Sequence, residues 1–169
     1  TAAEGRQLVA LAQETELVNA VNYNYRGYPM VQQMRAMIAQ GQIGRVWLVH
    51  GSYLQDWRMY PTDYNWRILA DIGTHWCDLA QWVTGQRINR VMGHLATLLP
   101  VRLRPAGEVH AFAEAEAGPR EEVQVRTEDY ASVLLNFAGG ALGSFTVSQV
   151  SAGLKNHLRI EVDGSEGSL

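Results

Sequence analysis

The sequence predicts an α+β fold, with a large, mostly antiparallel sheet carrying helices on one face. Three observations predict it. Helical periodicity is concentrated before Gly85. After Gly85, runs rich in Val, Ile, Leu and Phe follow one another with short connections, and early helices followed by late strands are the α+β order. Ala138-Gly139-Gly140 between two of these runs reads as a hairpin turn, which makes its strands antiparallel.

Residues 3–16 read as a helix, with Leu8, Leu11, Ala12 and Thr15 at helical spacing. Residues 17–23 read as a short buried strand through Leu17, Val18, Ala20 and Val21. Pro29 suits the first turn of a second helix, whose apolar stripe is Val31, Met34, Met37 and Ile38 and which Gly41 ends. Gly44 closes a turn, and 45–55 is rich in Val, Leu, Trp and Tyr, as a strand is. Residues 56–68 are irregular. Their aromatics Trp57, Tyr60, Tyr64 and Trp66 suit either a sugar-stacking surface or the edge of the core. The helix around Asp71 ends at Gly85. Residues 88–99 read as a strand and 100–118 as a long loop or flap. Strands follow at 122–127, 130–137, 141–150 and 157–162. Gly143, Ser144, Thr146 and Ser148 give one of these strands a small, polar face, suited to solvent or to another subunit.

The 169 residues suffice for one domain with a core, and 47% hydrophobic with 18% charged residues is ordinary for a globular chain. A net charge of −3 leaves no electrostatic footprint for nucleic acid. No apolar run is long enough to span a bilayer. One cysteine, Cys77, excludes an internal disulfide framework, and a reducing, cytoplasmic setting is the expectation. It reads as a small core residue rather than a nucleophile. The chain opens within a helical pattern and stops just after the turn at 162–167, so we expect a piece of a longer protein.

The chemistry concentrates in Leu69-Ala70-Asp71-Ile72-Gly73-Thr74-His75-Trp76-Cys77-Asp78-Leu79. As a helix, this segment sets Asp71, His75 and Asp78 on one face and Ile72, Trp76, Leu79 and Val83 on another. The polar face suits an acid/base pair, part of a metal site or a buried polar cluster. Histidine titrates near neutrality, which favours proton transfer. Gly73 costs about 1 kcal/mol within a helix, so something should approach the backbone there. Three metal ligands on one helix converge poorly, because positions i and i+7 lie about 10 Å apart. A second candidate is Asn22-Tyr23-Asn24-Tyr25-Arg26-Gly27-Tyr28-Pro29, polar and aromatic at a strand-to-helix junction, where ligands collect. Neither G-x-G-x-x-G nor G-x-x-x-x-G-K occurs.

Together these segments resemble the glucose-fructose oxidoreductase/inositol dehydrogenase/MocA family of NAD(P)-dependent oxidoreductases. The 22–29 segment resembles that family's junction, and Gly41-Gln42-Ile43-Gly44-Arg45-Val46 its turn into the first sheet strand. Asp71 through Leu79 resembles its catalytic helix. Glu128-Asp129-Tyr130 and Val162 through Ser168 resemble later strand starts and turns. The matches are collinear.

The resemblance implies that residues 1–23 end an N-terminal dinucleotide-binding domain and 24–169 form an incomplete C-terminal substrate-binding and oligomerisation domain. It implies hydride transfer between a sugar or polyol carbon and NAD or NADP, the cofactor being held mainly by the preceding domain. His75 would be the acid/base. Asp71 would orient His75 and the reacting hydroxyl, helped by a lysine of a Glu-Lys-Pro motif upstream of Thr1. Asn24, Tyr25 and Arg26 would lie near the nicotinamide, and Trp66, Arg67 and Asn156 near the sugar. The expected partners are a small sugar or polyol and further copies of the chain, joined through the open face of the sheet. A non-catalytic assembly domain, or a metal-dependent hydrolase or isomerase using Asp71 and His75, are the alternatives.

Overall fold

The computed structural model describes residues 1–15, 17–59, 67–105 and 119–169. Its helices are α1 (Ala2–Gln13), α2 (Pro29–Ala39) and α3 (Thr74–Thr84). Its strands are β1 (Val46–Leu54), β2 (Ile88–Ala96), β3 (Val101–Pro105), β4 (Arg120–Gln124), β5 (Tyr130–Phe137), β6 (Leu142–Ser148) and β7 (His157–Gly164). Five of these form one sheet in the order β2-β5-β6-β1-β7, and β3 pairs with β4 apart from it.

The predicted α+β architecture is the observed one. Within the large sheet β2–β5, β5–β6 and β1–β7 are antiparallel. The pair β1–β6 is parallel, with Leu54 opposite Ser148. The side chains of Val49, Tyr53, Phe145, Val147, Val133, Ala131 and Val162 are buried. Strand alternation places them all on one face, and α3 covers it with Trp76, Leu79, Ala80 and Val83. Trp76 is fully buried and stacks on Phe145 at 4.5 Å. Its indole nitrogen donates to the Arg159 carbonyl at 3.1 Å. Roughly 200 Å² of buried indole at about 25 cal/mol per Å² contributes about 5 kcal/mol.

Local signals explain the boundaries of these elements. Thr1 and Glu4 form a capping box at the start of α1. Pro29 occupies the first turn of α2, and Gly85 ends α3 in the left-handed conformation (φ 67°). β5 alternates buried and more exposed positions along its whole length.

Four expectations are corrected. Residues 17–23 are not a buried strand: Leu17, Val18 and Val21 are 75%, 100% and 76% exposed, and no strand pairs with them among the described residues. Residues 101–105 are not loop but β3, held to β4 by backbone pairing and an Arg104–Glu121 ion pair. β4 begins at Arg120, earlier than expected. The segment before α3 is not regular α-helix: Leu69–Gly73 is a π-helical turn, closed by Gly73 N–H donating to the Ile68 carbonyl at 3.0 Å. The close approach at Gly73 comes from within that turn, where an added Cβ would lie 3.0 Å from Leu69 Cδ2. No described helix is long and apolar enough to cross a membrane.

Candidate active site

An open cleft of about 510 Å³ lies between the segment before α2 and the start of α3, lined by Val21, Asn22, Tyr23, Ala70, Asp71, Thr74 and His75. Its size is that of a small-molecule site. Two sequence-distant segments make its walls, and the predicted acid and imidazole both reach it.

His75 is wedged between two tyrosines, edge-to-face with Tyr23 at 5.5 Å and Tyr25 at 5.4 Å. Its Nδ1 is buried and has no hydrogen-bond partner among the described residues. Asp71 therefore does not hold that nitrogen, although the two residues are four apart. The π-turn is the physical reason: its wider winding ends at Gly73, between them, and breaks the α-helical register that would stack one on the other. Asp71 Oδ2 instead accepts from Gln149 Nε2 at 2.6 Å.

Asp78, third on the predicted polar face, belongs to a different contact. Arg26 Nε donates to its Oδ2 at 2.8 Å, and Arg26 Nη2 reaches its Oδ1. Arg26 also lies over the Trp82 ring at 4.5 Å. Among the described residues no cluster of three or more His, Cys, Asp or Glu is arranged to hold a metal ion. Burial, and then the Asp78 charge, pushes the Cys77 thiol up to about 11, which leaves it protonated near neutrality.

The other predicted residues fall in three places. Tyr25 is buried beneath His75, and its hydroxyl meets that of Tyr53 at 2.5 Å. Asn156 joins the same cluster, accepting from Tyr53 at 2.6 Å and Gln55 at 2.9 Å and donating to Tyr25 at 3.2 Å. Burial and the Tyr25 hydroxyl raise the Tyr53 pKa well above the phenol value. Asn24 is exposed at the start of a 3-10 turn, Asn24–Gly27. Arg67 pairs with Glu128 at 2.9 Å and is otherwise open to solvent. Trp66 lies outside the described residues. The sequence reading missed Tyr53, Gln55, Arg58 and Gln149. Polar residues at the ends of apolar strands were the one signal available for Gln55 and Gln149.

Known proteins resemble this chain in sequence and in fold. Levoglucosan dehydrogenase of Pseudarthrobacter phenanthrenivorans is 30% identical over all of this chain and 46% of its own length. The chain thus spans less than half the length of the curated relatives it matches. A solved apo structure of levoglucosan dehydrogenase superposes with a TM-score of 0.86 at 30% identity, over 99% of this chain and 45% of that one. Levoglucosan dehydrogenase has also been solved with NADH and levoglucosan, and with NADH and L-sorbose. An oxidoreductase domain protein from Kribbella flavida is 40% identical with a TM-score of 0.73, over 88% of this chain and 40% of that one. Residues 31–169 match the family described as the GFO/IDH/MocA C-terminal domain, and with this sheet, this helix and these relatives, the chain belongs to the GFO/IDH/MocA family.

Proposed function

We propose that this chain is the substrate-binding part of an NAD(P)-dependent dehydrogenase acting on a sugar or polyol hydroxyl. In this reading residues 1–23 end the dinucleotide-binding domain and 24–169 belong to the C-terminal domain. The observation that carries the reading is the convergence of Asp71 and His75 on one cleft in a chain of this family. The levoglucosan dehydrogenase complexes with NADH and a sugar support the substrate class.

The residues fit a nicotinamide and a polyol. An imidazole whose buried Nδ1 has no partner among the described residues stands beside a cleft with a carboxylate, a hydroxyl and aromatic edges. The nicotinamide, when bound, supplies the two-electron acceptor. His75 takes the proton of the reacting hydroxyl, relieving negative charge on that oxygen as the carbon is oxidised. Asp71 accepts a hydrogen bond from the substrate and fixes which hydroxyl faces His75. Tyr23 and Tyr25 restrict rotation of the imidazole. Tyr25, Tyr53, Gln55 and Asn156 form the polar floor beside it. Arg67 stands at the rim.

The test is absorbance at 340 nm with the full-length protein, NAD⁺ or NADP⁺, and a panel of sugars and polyols including levoglucosan. Reduction of cofactor with a member of the panel is expected. No reduction with any of them, and no change in NADH fluorescence on adding protein, would sink the reading.

We further propose that the open face of the sheet pairs with a second copy. That face carries Leu48, Leu134, Leu142 and Met92, all exposed, and Leu48 stands opposite Leu142 and Met92 opposite Leu134.

A further inference from the structure

Gln149 is the first residue after β6 and is 1% exposed. Its backbone is held on both sides. Its N–H donates to the Asp129 carbonyl at 3.0 Å, and its carbonyl accepts from Arg58 N–H at 3.0 Å. The side-chain amide is gripped at both ends too. Oε1 accepts from Arg58 Nε at 2.8 Å, and Nε2 donates to Asp71 Oδ2 at 2.6 Å. Arg58 is itself 1% exposed, and its Nη1 donates to Thr127 Oγ1 at 3.2 Å.

This chain of contacts has only one polarity. A guanidinium has donors and no acceptor, so the amide oxygen must face Arg58. The amide NH₂ is then committed to Asp71. Rotating the amide by half a turn would oppose donor to donor at Arg58 and oxygen to carboxylate at Asp71. Asp71 thus receives a fixed donor on one oxygen, from a residue anchored in the core, while its side chain lines the cleft.

We propose that Gln149, locked by the buried Arg58, is the positioning residue that sets the Asp71 carboxylate for substrate in the cleft. The proposal rests on the dehydrogenase reading above. The π-turn gives it a physical purpose: the turn removes Asp71 from the register that would let His75 hold it, and Gln149 supplies the restraint instead. Gln149 acts through Asp71 and lies outside the cleft lining.

The test uses the full-length protein, ¹⁵N-labelled for NMR and assayed with NAD⁺ and levoglucosan. The Gln149 side-chain amide resonances are identified by their loss in Gln149→Leu. They are expected to move in Asp71→Asn, and an unmoved pair overturns the proposal whether or not levoglucosan is turned over. In the assay, Gln149→Leu should lower kcat by about 10-fold to 100-fold with KM changed far less. In an Asp71→Asn background the same change should bring no further loss. Gln149→Glu keeps an acceptor for Arg58, but the new carboxyl can donate to Asp71 only when protonated, so the pH optimum should move to lower pH. A purely structural role would lower the unfolding midpoint and leave kcat per folded molecule and its pH profile unmoved. Turnover within twofold of wild type in both Gln149 variants, with Asp71→Asn and His75→Ala strongly impaired, removes Gln149 alone. Wild-type turnover in Asp71→Asn and His75→Ala removes the dehydrogenase site, and the role of Gln149 with it.

Discussion

Arg26 holds Asp78 through two guanidinium nitrogens, tying the 3-10 turn before α2 to the middle of α3. The Asp78 side chain is 11% exposed and that of Arg26 42%, so the acid is more committed to the pair than the base. The contact raises the Arg26 pKa. Arg26 and Arg35 both lie over the Trp82 ring, at 4.5 and 3.4 Å, so the pair is part of the α2–α3 packing.

Arg26→Lys keeps the charge and loses the fork. With one partner well exposed, the cost should be about 1 kcal/mol, read as a lower urea midpoint of the intact protein. If Arg26 instead serves the nicotinamide, Arg26→Lys will raise the KM for NAD⁺ at an unchanged midpoint.

His75→Ala should cut kcat by roughly 10²–10⁴, the scale of a general acid/base, and losing its edge-to-face contacts with Tyr23 and Tyr25 should cost about 1–2 kcal/mol of stability. Turnover within a few-fold of wild type would remove His75 from the chemistry.

The Cys77 thiol, pushed up to about 11 by burial and then by Asp78, gives a signed pH effect. An unfolded thiol loses its proton from about pH 8.5, while the folded one keeps it. The folded state therefore binds more protons in this window, and its stability declines as pH rises from about 8.5 toward about 11. Urea titrations at several pH values should show this slope, and Cys77→Ser should flatten it. Alkylation by iodoacetamide at pH 7.5 should be slow in native protein and fast in urea. Fast native alkylation would contradict the burial argument.

Lysine at both Ser144 and Thr146 should disrupt pairing through the open face, since these side chains share it with Leu142 and Leu134. Light scattering on the full-length protein should fall from an oligomer to a smaller species. An unchanged mass would place the interface elsewhere.

Much of the fold was legible because local chemistry and packing agree. Pro29, Gly85 and the Ala138–Gly140 turn punctuate the chain where the structure does, and 130–137 is a strand to the residue. Residues 17–23 misled because Leu17, Val18 and Val21 have strand composition, while a strand exists only when a neighbour pairs with it. Residues 101–105 misled the other way. Nearby Pro and Gly suggested a loop, yet the Val-Arg-Leu-Arg alternation pairs with β4.

The site was half legible. Asp71 and His75 advertised themselves by spacing, but spacing could not show the π-turn between them. Gln149 lies 78 residues from Asp71, and Arg58 lies 91 from Gln149. Only the folded sheet brings them together.

The parallel pairing of β1 with β6 is what delivers them. Because Leu54 and Ser148 end their strands side by side, the chain leaves the sheet twice at one end, once into Gln55 and Arg58 and once into Gln149. Two connections separated by most of the sequence can thus reshape one binding site while the strands beneath them stay as they are. Side-chain changes confined to those two excursions would reach the cleft through Asp71 and leave the sheet itself unaltered.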